Sequence, residues 1–367
     1  MILMNDFKAE PAELREAMLG AAQRVLQSGW YVLGAELERF EQLWAQRCGA
    51  RHAVGVGNGM DAIELVLRGA GIGPGDEVIT TPITAFATVL AVLRAGAQPV
   101  LADIDLGSGL LDPGSVQRCL TPRTKAVLLV HLYGQVRQMP RWQALCADAG
   151  VALIEDCAQA HLAGSNGRGA GSFGLAGAYS FYPTKNLGAI GDAGAVVTDA
   201  PELAGRVAQL RNYGQSVRYV HPHLGMNSRL DELQAALLSV RLEWLERFTE
   251  RRRAVATIYN QHIRHPAIQL LDAPEAPESH VHHLYVVRCK VRDALMAHLK
   301  RCGVQSLIHY PVPVHHQEPC MGLRHDPTGL VHAEVHAASC VSLPCHPQIS
   351  DEHAHRVVAA VNSFDPR

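Results

Sequence analysis

Short apolar segments alternate with segments of helical periodicity over the first 200 residues, and this alternation limits the possible folds more than any other feature. The apolar segments are mostly continuous, as expected for strands that are covered on both faces. Helical stretches such as 61–68 and 88–94 separate them. The pattern predicts an α/β unit built on one sheet. Its predicted strands lie at 52–57, 77–80, 98–102, 126–132, 152–155, 178–181 and 194–198.

The chain changes character after about residue 260. A long helix is predicted to start at Asp231, with apolar residues at three- and four-residue spacing as far as Phe248. The smaller α+β unit predicted beyond it has strands at 283–291 and 304–309, and helices at 292–302 and 351–362. We therefore predict a large domain over 1–250 and a small C-terminal domain over 251–367.

Charge and hydropathy exclude several classes of partner. The chain has 33 Lys and Arg against 35 Asp and Glu, so it lacks the basic excess with which proteins bind nucleic acid or anionic membranes. Its most apolar stretch, 83–102, contains Arg94 and Gln98 and is not predicted to span a membrane. The N-terminus has no secretory signal pattern. We expect a cytoplasmic protein without nucleic-acid or membrane partners.

Cysteine and histidine spacing does not predict a metal site. The nine cysteines include no Cys-x-x-Cys pair, which fits a reducing compartment better than a disulfide framework. Cys340, Cys345 and His346 lie close together, but no second ligand pair with metal spacing follows them. The adjacent pair His315–His316 is interpreted as two ordinary histidines.

A glycine-rich segment, 55–61, joins a predicted strand to a predicted helix. A helix N-terminus that follows glycines presents free N–H groups and a positive dipole end, and so binds phosphate. A dinucleotide site requires Gly-x-Gly-x-x-Gly, and Met60 occupies the last glycine position, which disfavours a nicotinamide-dependent oxidoreductase. A cradle for a single phosphate fits better, and a plain strand-to-helix turn is the alternative.

Two further segments place reactive groups directly after predicted strands. Asp156 follows the strand at 152–155, where α/β sheets bind ligands, and its carboxylate can pair with a cationic ring nitrogen. A helix N-cap is the alternative role for Asp156. Lys185 follows the strand at 178–181, and burial there would lower its pKa and make the amine a nucleophile toward aldehydes. A solvated surface lysine is the alternative.

The three segments together match one cofactor. A phosphate cradle, an acid for a pyridinium nitrogen and a lysine able to form a Schiff base are what pyridoxal 5'-phosphate requires. The segments follow one another in that order along a single α/β unit. The residues therefore predict a pyridoxal phosphate enzyme.

A set of motifs runs almost from end to end of the chain. They include Ser-Phe-Tyr-Pro-Thr-Lys-Asn-Leu-Gly at 180–188, and the others lie at 34–41, 58–59, 131–134, 155–161 and 225–236. In this combination they resemble the DegT-type nucleotide-sugar aminotransferases, and most of all the dTDP-3-keto-6-deoxyhexose 3-aminotransferases. The resemblance implies the fold-type I, aspartate aminotransferase-like fold. That fold has a large domain with a mostly parallel sheet and a small α+β domain.

The resemblance implies a role for each residue around the cofactor ring. Lys185 carries the cofactor covalently and acts as general acid and base. Asp156 pairs with the pyridine nitrogen, and Gln159 contacts the ring hydroxyl. The aromatic residue that stacks on the ring in this family usually stands at position 85, where this chain has alanine, so Phe86 is the candidate here.

The resemblance also implies how the phosphate is held. The backbone at Gly59 and Met60 and the hydroxyl of Ser180 are the expected contacts. The family often has threonine where this chain has Met60, so one side-chain hydroxyl is lost. Asn227 matches an asparagine that reaches the phosphate from the second subunit. The resemblance therefore implies a homodimer with shared active sites.

The substrate is implied by softer similarities at 210–214 and 303–315 to enzymes that aminate C3 of keto sugars. We predict that glutamate donates the amino group and that a nucleotide-linked keto sugar, a dTDP-3-keto-6-deoxyhexose, accepts it. A UDP-3-keto uronate and a 4-keto sugar are alternative acceptors. The candidate sugar contacts are Tyr182, His309 and Tyr310, of which the last two are predicted to end a strand. Arg218, with His221, is the candidate for the nucleotide phosphates.

Two further interpretations lie within the same family. A dehydratase subgroup has histidine at the lysine position, and Lys185 counts against it. A regulatory member without catalysis would keep the fold, but the intact set of Asp156, Gln159 and Lys185 counts against that role.

Overall fold

A computed structural model describes residues 1–366, which form strands and helices in the predicted alternation. The strands within this range are β1 (His52–Val56), β2 (Glu77–Thr80), β3 (Gln98–Leu101), β4 (Thr124–Val130), β5 (Ala152–Asp156), β6 (Gly164–Ser165), β7 (Arg168–Gly169), β8 (Ala176–Ser180), β9 (Gly194–Thr198), β10 (Gln269–Leu270), β11 (Tyr285–Arg288) and β12 (Cys340–Leu343). The seven strands predicted for the first 200 residues are confirmed as β1 to β5, β8 and β9.

The helices lie on both sides of the large sheet and around the small one. They are α1 (Ala12–Ser28), α2 (Ala35–Cys48), α3 (Gly59–Gly69), α4 (Phe86–Arg94), α5 (Pro113–Cys119), α6 (Met139–Ala149), α7 (Pro201–Leu210), α8 (Glu232–Leu242), α9 (Leu245–His262), α10 (Arg292–Arg301), α11 (Val331–Ser339) and α12 (Asp351–Asn362). Within residues 1–366, no helix is both long and apolar enough to cross a bilayer.

The large sheet has seven strands in the order β1-β9-β8-β5-β4-β2-β3, and only β9 among them runs against its neighbours. Its two faces are buried in different cores. Val127 and Leu129 of β4 pack with Trp142 of α6, whereas Ala126 and Leu128 pack with α3. Burial on both faces explains why these strands are continuously apolar in the sequence.

The parallel strands bring the predicted reactive groups to one edge of the large sheet. β5 ends at Asp156 and β8 at Ser180, while β1 leads into α3 at Gly59. Because these strands point in the same direction, their carboxyl ends lie along the same edge. Ligands bind at this edge in open α/β sheets.

A second, antiparallel sheet in the order β10-β11-β12 forms the C-terminal unit. Its helices α10 and α12 match the predicted helices, but the predicted strand at 304–309 is wrong. β12, which was not predicted from the sequence, pairs with β11 over four residue pairs. Within residues 1–366, segment 304–309 makes only single bridges, from Val304 to Ile2 and from Leu307 to Ser342. His309 and Tyr310 therefore lie in an irregular segment.

The long helix predicted from Asp231 is two helices, α8 and α9. The amides of Glu243 and Trp244 donate to the carbonyls three residues earlier, at 3.3 and 3.1 Å, which tightens the last turn of α8 and ends it. Both helices keep the same apolar periodicity, so the sequence pattern predicted one continuous helix across the break.

The domain division at residue 250 stays a prediction, since α9 runs through that position. Leu245 at the start of α9 packs in the core of the large sheet, and Val255 and Tyr259 pack in the core of the small sheet. Ile2 also packs in the small-sheet core, so the first residues of the chain join the C-terminal unit.

Candidate active site

The N-terminus of α3 meets the end of β8 at the carboxyl edge of the large sheet. Asn58 caps the helix by accepting a hydrogen bond from the Asp61 amide at 2.8 Å. The amides of Gly59 and Met60 lie in the first helical turn, where no carbonyl of the helix can accept from them. A Cβ added at Gly59 would lie 2.6 Å from Cβ of Ser180, so glycine allows the helix end to approach the serine.

The side chain of Met60 packs against the core formed by α3 and the sheet. Only the backbone of this residue can therefore serve an anion at the helix end, which agrees with the expected loss of a hydroxyl there. The cluster of Gly59, Met60 and Ser180 stays the predicted phosphate cradle.

Asp156 is held by a chain of hydroxyl groups. Its Oδ2 accepts a hydrogen bond from Thr88 Oγ1 at 2.8 Å, and Thr88 Oγ1 lies 2.8 Å from Thr84 Oγ1. Its Oδ1 accepts from the Ala158 amide at 3.1 Å. These bonds fix the plane of a carboxylate that is only 5% exposed. Sequence reasoning assigned no role to either threonine, since the contact of Thr88 with Asp156 spans 68 residues of the chain.

The neighbouring carboxylate, Glu155, stabilises the fold through hydrogen bonds within the chain. It is fully buried and accepts from the amides of Gly171, Phe173 and Gly174 at 2.8–2.9 Å. Its Oε2 also lies 2.8 Å from Nε2 of His131. Of the two carboxylates that end β5, Asp156 is therefore the one available to a ligand.

Gln159 connects the two parts of the chain. Its Oε1 accepts from the Tyr133 amide at 2.6 Å, and its Nε2 donates to the hydroxyl of Tyr310 at 3.2 Å. Burial raises the pKa of Tyr310 to about 12, and the charge of Asp156 adds to the shift. Tyr310 therefore stays a neutral phenol close to Asp156 and Gln159, and its role as a sugar contact stays a prediction.

Lys185 differs from the other lysines of the chain. Four of them are exposed, at positions 8, 125, 290 and 300, whereas Lys185 is half-buried. Burial lowers the pKa of Lys185 to about 8, although the charge of Asp156 acts in the opposite direction. At pH 7 about one amine in ten is then neutral, against fewer than about one in a thousand at the ordinary pKa. Partial burial and the lowered pKa count against the alternative of a solvated surface lysine.

Histidines surround Lys185 in neutral form. Burial, together with the nearby charge of Lys185, lowers the pKa of His161 to about 3 and that of His309 to about 4. His283 has its pKa lowered for the same two reasons and lies 3.1 Å from the Asn186 amide oxygen through Nδ1. These three histidines therefore add no positive charge beside Lys185. The sequence analysis did not assign a role to His161 or His283.

Two other predicted site residues, Phe86 and Tyr182, make contacts that do not test their predicted roles. Phe86 is the first residue of α4 and packs partly buried against the core that includes Tyr133. Tyr182 is 52% exposed, and its carbonyl accepts from the Lys185 amide at 2.8 Å. Stacking by Phe86 and sugar binding by Tyr182 stay predictions.

Asn227 and Arg218 lie on the exposed surface before α8. Asn227 pairs with Asn212 in an isolated bridge, and the Arg218 guanidinium stacks on Tyr219 at 5.0 Å. His221 is also exposed. Within residues 1–366, none of the contacts recorded for these residues reaches Lys185 or Asp156. Their predicted roles, a phosphate contact across subunits and nucleotide binding, stay predictions.

Comparison with known proteins shows which family has this arrangement of residues. Residues 12–362 match the DegT/DnrJ/EryC1/StrS aminotransferase family. The chain belongs to this family. The match covers nearly the whole chain, so the predicted fold and the aminotransferase prediction are confirmed, and a nicotinamide-dependent oxidoreductase is excluded.

Relatives with 44–46% identity align with this chain over almost its whole length. One, 46% identical over 99% of this chain and 96% of its own length, is dTDP-3-amino-3,4,6-trideoxy-alpha-D-glucose transaminase of Streptomyces venezuelae. Another, 44% identical over 99% of both chains, is dTDP-3-amino-3,6-dideoxy-alpha-D-galactopyranose transaminase of Aneurinibacillus thermoaerophilus. A crystal structure of S. venezuelae DesV in complex with a ketimine intermediate matches with a TM-score of 0.95 and 46% identity. It covers 100% of this chain and 99% of the other.

The cofactor of this family of enzymes is pyridoxal 5'-phosphate, and the residues present fit it. The half-buried Lys185 supplies an amine of lowered pKa, and Asp156 supplies a carboxylate held in place by Thr88. The α3 terminus and Ser180 offer N–H and hydroxyl donors to a phosphate. Each part of the cofactor therefore has a matching group on the same edge of the sheet.

Proposed function

We propose that this chain transfers the amino group of glutamate to C3 of a dTDP-linked 3-keto-6-deoxyhexose. The two relatives described above differ in their sugars but share the dTDP group and the amino group at C3 in their names. The observation that supports the same chemistry here is that Asp156 lies close enough to both Lys185 and Tyr310 for its charge to shift the pKa of each, while Gln159 donates to the Tyr310 hydroxyl.

The roles of the residues follow from their chemistry. When bound, pyridoxal phosphate supplies an electron-accepting ring and a site that carries the amino group between donor and acceptor. The Lys185 amine takes the proton from the donor carbon and, in the second half of the reaction, returns a proton at C3 of the sugar. The Asp156 carboxylate holds a proton on the ring nitrogen. Gln159 and Tyr310 orient the ring hydroxyl and the sugar.

The acceptor is tested by offering keto sugars with glutamate as donor. We expect amination of a dTDP-3-keto-6-deoxyhexose. Amination only of a dTDP-4-keto-6-deoxyhexose would contradict transfer at C3. Amination only of a UDP-3-keto uronate would keep C3 and overturn the deoxyhexose and its nucleotide.

Tyr310→Phe is expected to lower the efficiency of the sugar half-reaction by roughly tenfold or more, because a buried hydrogen-bonding group of the sugar would lose its partner. The glutamate half-reaction should stay nearly intact. Single-turnover measurements of each half-reaction give the two efficiencies separately. Tyr285→Phe is the matched control, since the Tyr285 hydroxyl donates to Asn260 at 2.6 Å within the small unit. An equal loss in both halves would show that Tyr310 acts through Gln159 instead of contacting the sugar.

We also propose a homodimer in which Asn227 serves the partner's site. The exposure of Asn227 supports this, because an exposed amide is free to meet a second chain. Subunits of Asn227→Ala and Lys185→Ala should regain activity when they are mixed under exchange, since some heterodimers carry one site with both native residues. Mass-tagged subunits show that exchange has occurred. Exchange without recovery of activity would contradict shared sites.

We propose a cytoplasmic location. The nine cysteines are all unpaired thiols, as in proteins of a reducing compartment.

A further inference from the structure

Two adjacent histidines and a glutamate meet at the surface beyond the Tyr310 segment. His315 and His316 belong to a short 3₁₀ turn (Val314–His316), and Glu334 stands on the first half of α11. Nε2 of His315 lies 3.4 Å from Glu334 Oε1, and Nε2 of His316 lies 3.8 Å from the same oxygen. The three ligand atoms all lie within 4.8 Å of one another.

These separations are close to those of a metal site. Two ligands bound to Zn²⁺ at about 2.0–2.1 Å, with a tetrahedral angle between them, lie roughly 3.4 Å apart. Both His–Glu distances are within a few tenths of an ångström of that value, so small rotations of the exposed His316 and Glu334 side chains would complete the geometry.

The ligand capacity of these groups is not used elsewhere. Nε2 of His315 lies within hydrogen-bond distance of Glu334 Oε1, and a bound ion would replace this contact. Nδ1 of His315 is buried without a hydrogen-bond partner, and Glu334 is exposed. A second possible cluster, His131 with Glu155 and Cys157, is different. The Glu155 oxygens there already accept the three amides and the histidine described above, and burial raises the pKa of the Cys157 thiol. That cluster has no free position for an ion.

We propose that His315, His316 and Glu334 bind one divalent transition-metal ion, with Zn²⁺ as the matching ion and water in the remaining positions. Two imidazoles and a carboxylate are a donor set that suits zinc. The site is separate from the pyridoxal phosphate site and does not depend on the proposed sugar substrate.

Such an ion would cross-link two segments that are apart in the sequence. The turn of His315 follows Tyr310 by five residues and is tied to the large unit, because the Val314 amide donates to the Pro82 carbonyl at 2.9 Å. Glu334 adds an anchor on α11. A bound ion closes the loop between them and is expected to stabilise the segment that carries Tyr310.

Zinc alone is the probe, used with the untagged, cofactor-loaded protein. Equilibrium dialysis with metal analysis should give one Zn²⁺ per chain that is lost, or bound at least about tenfold more weakly, in His316→Ala and in Glu334→Gln. His353→Ala, which removes an exposed histidine from α12, is the matched control and should bind zinc as the parent does. The thermal midpoint of the parent should rise with zinc, because the ion binds the folded chain, and that of His316→Ala should not.

Absence of stoichiometric zinc in the parent would overturn the site. So would an unchanged affinity in both His316→Ala and Glu334→Gln, since the ion would then lie elsewhere on this histidine-rich chain. Because both side chains are exposed, their replacement should leave the fold intact, and circular dichroism checks this.

Discussion

Lys185→Ala is expected to abolish turnover, with kcat falling by at least about 10³-fold. The change removes the covalent anchor of the cofactor and the group that moves the proton, and each alone is worth a large factor. The chain should still fold. Because the pKa of Lys185 is lowered by burial, its ammonium form costs stability at pH 7, and alanine removes that cost. Steady-state kinetics and a thermal melt measure the two effects.

Two comparisons make the Lys185 assignment specific. Lys185→Arg keeps a positive charge but provides no free amine, so it should be as inactive as alanine. Lys290→Ala removes an exposed lysine and should leave kcat unchanged. Borohydride reduction of the parent followed by peptide mapping should label Lys185 among the five lysines of the chain. A label on any other lysine, or turnover by Lys185→Arg near that of the parent, would refute the assignment.

Asp156→Asn is expected to lower kcat on the order of 10²-fold or more. The amide has no charge with which to keep a proton on the ring nitrogen, so the ring accepts electrons less well as the donor carbon loses its proton. The cofactor should still bind through Lys185 and the phosphate cradle, which visible absorbance of the purified protein can report. A kcat within about threefold of the parent value, with cofactor bound, would contradict the role of Asp156.

Thr88→Val is the matched variant for Asp156. It keeps the carboxylate but removes the hydroxyl that donates to Oδ2 at 2.8 Å. We expect a smaller loss than in Asp156→Asn, because the charge remains while its orientation is less well fixed. A pH–rate profile separates the two effects. A change in the proton affinity of the ring nitrogen shifts the pH at which the rate falls, whereas a less well fixed carboxylate lowers the rate without shifting that pH.

The local sequence pattern was enough to predict the strands of the large sheet. Strands buried on both faces must be continuously apolar, and this requirement is visible in sequence alone, so β1 to β5, β8 and β9 were found. Lys185 and Asp156 were found in the same way, because Asp156 ends one such strand and Lys185 follows another by five residues. The order of the strands in the sheet was not needed for this. The motifs around them gave the family.

The tertiary structure decided what depends on contacts between distant segments. Residues 304–309 looked like a strand, but they make isolated bridges, and the strand that pairs with β11 is β12. Whether a segment becomes a strand depends on the neighbours that it meets in the fold. The break between α8 and α9 is invisible in a periodicity that both helices share. The hydrogen bonds from Thr88 to Asp156 and from Gln159 to Tyr310 span 68 and 151 residues. Likewise, His315 and His316 acquire a third ligand only because α11 places Glu334 beside them, since folding brings together groups whose spacing along the chain has no fixed relation to their distance in space.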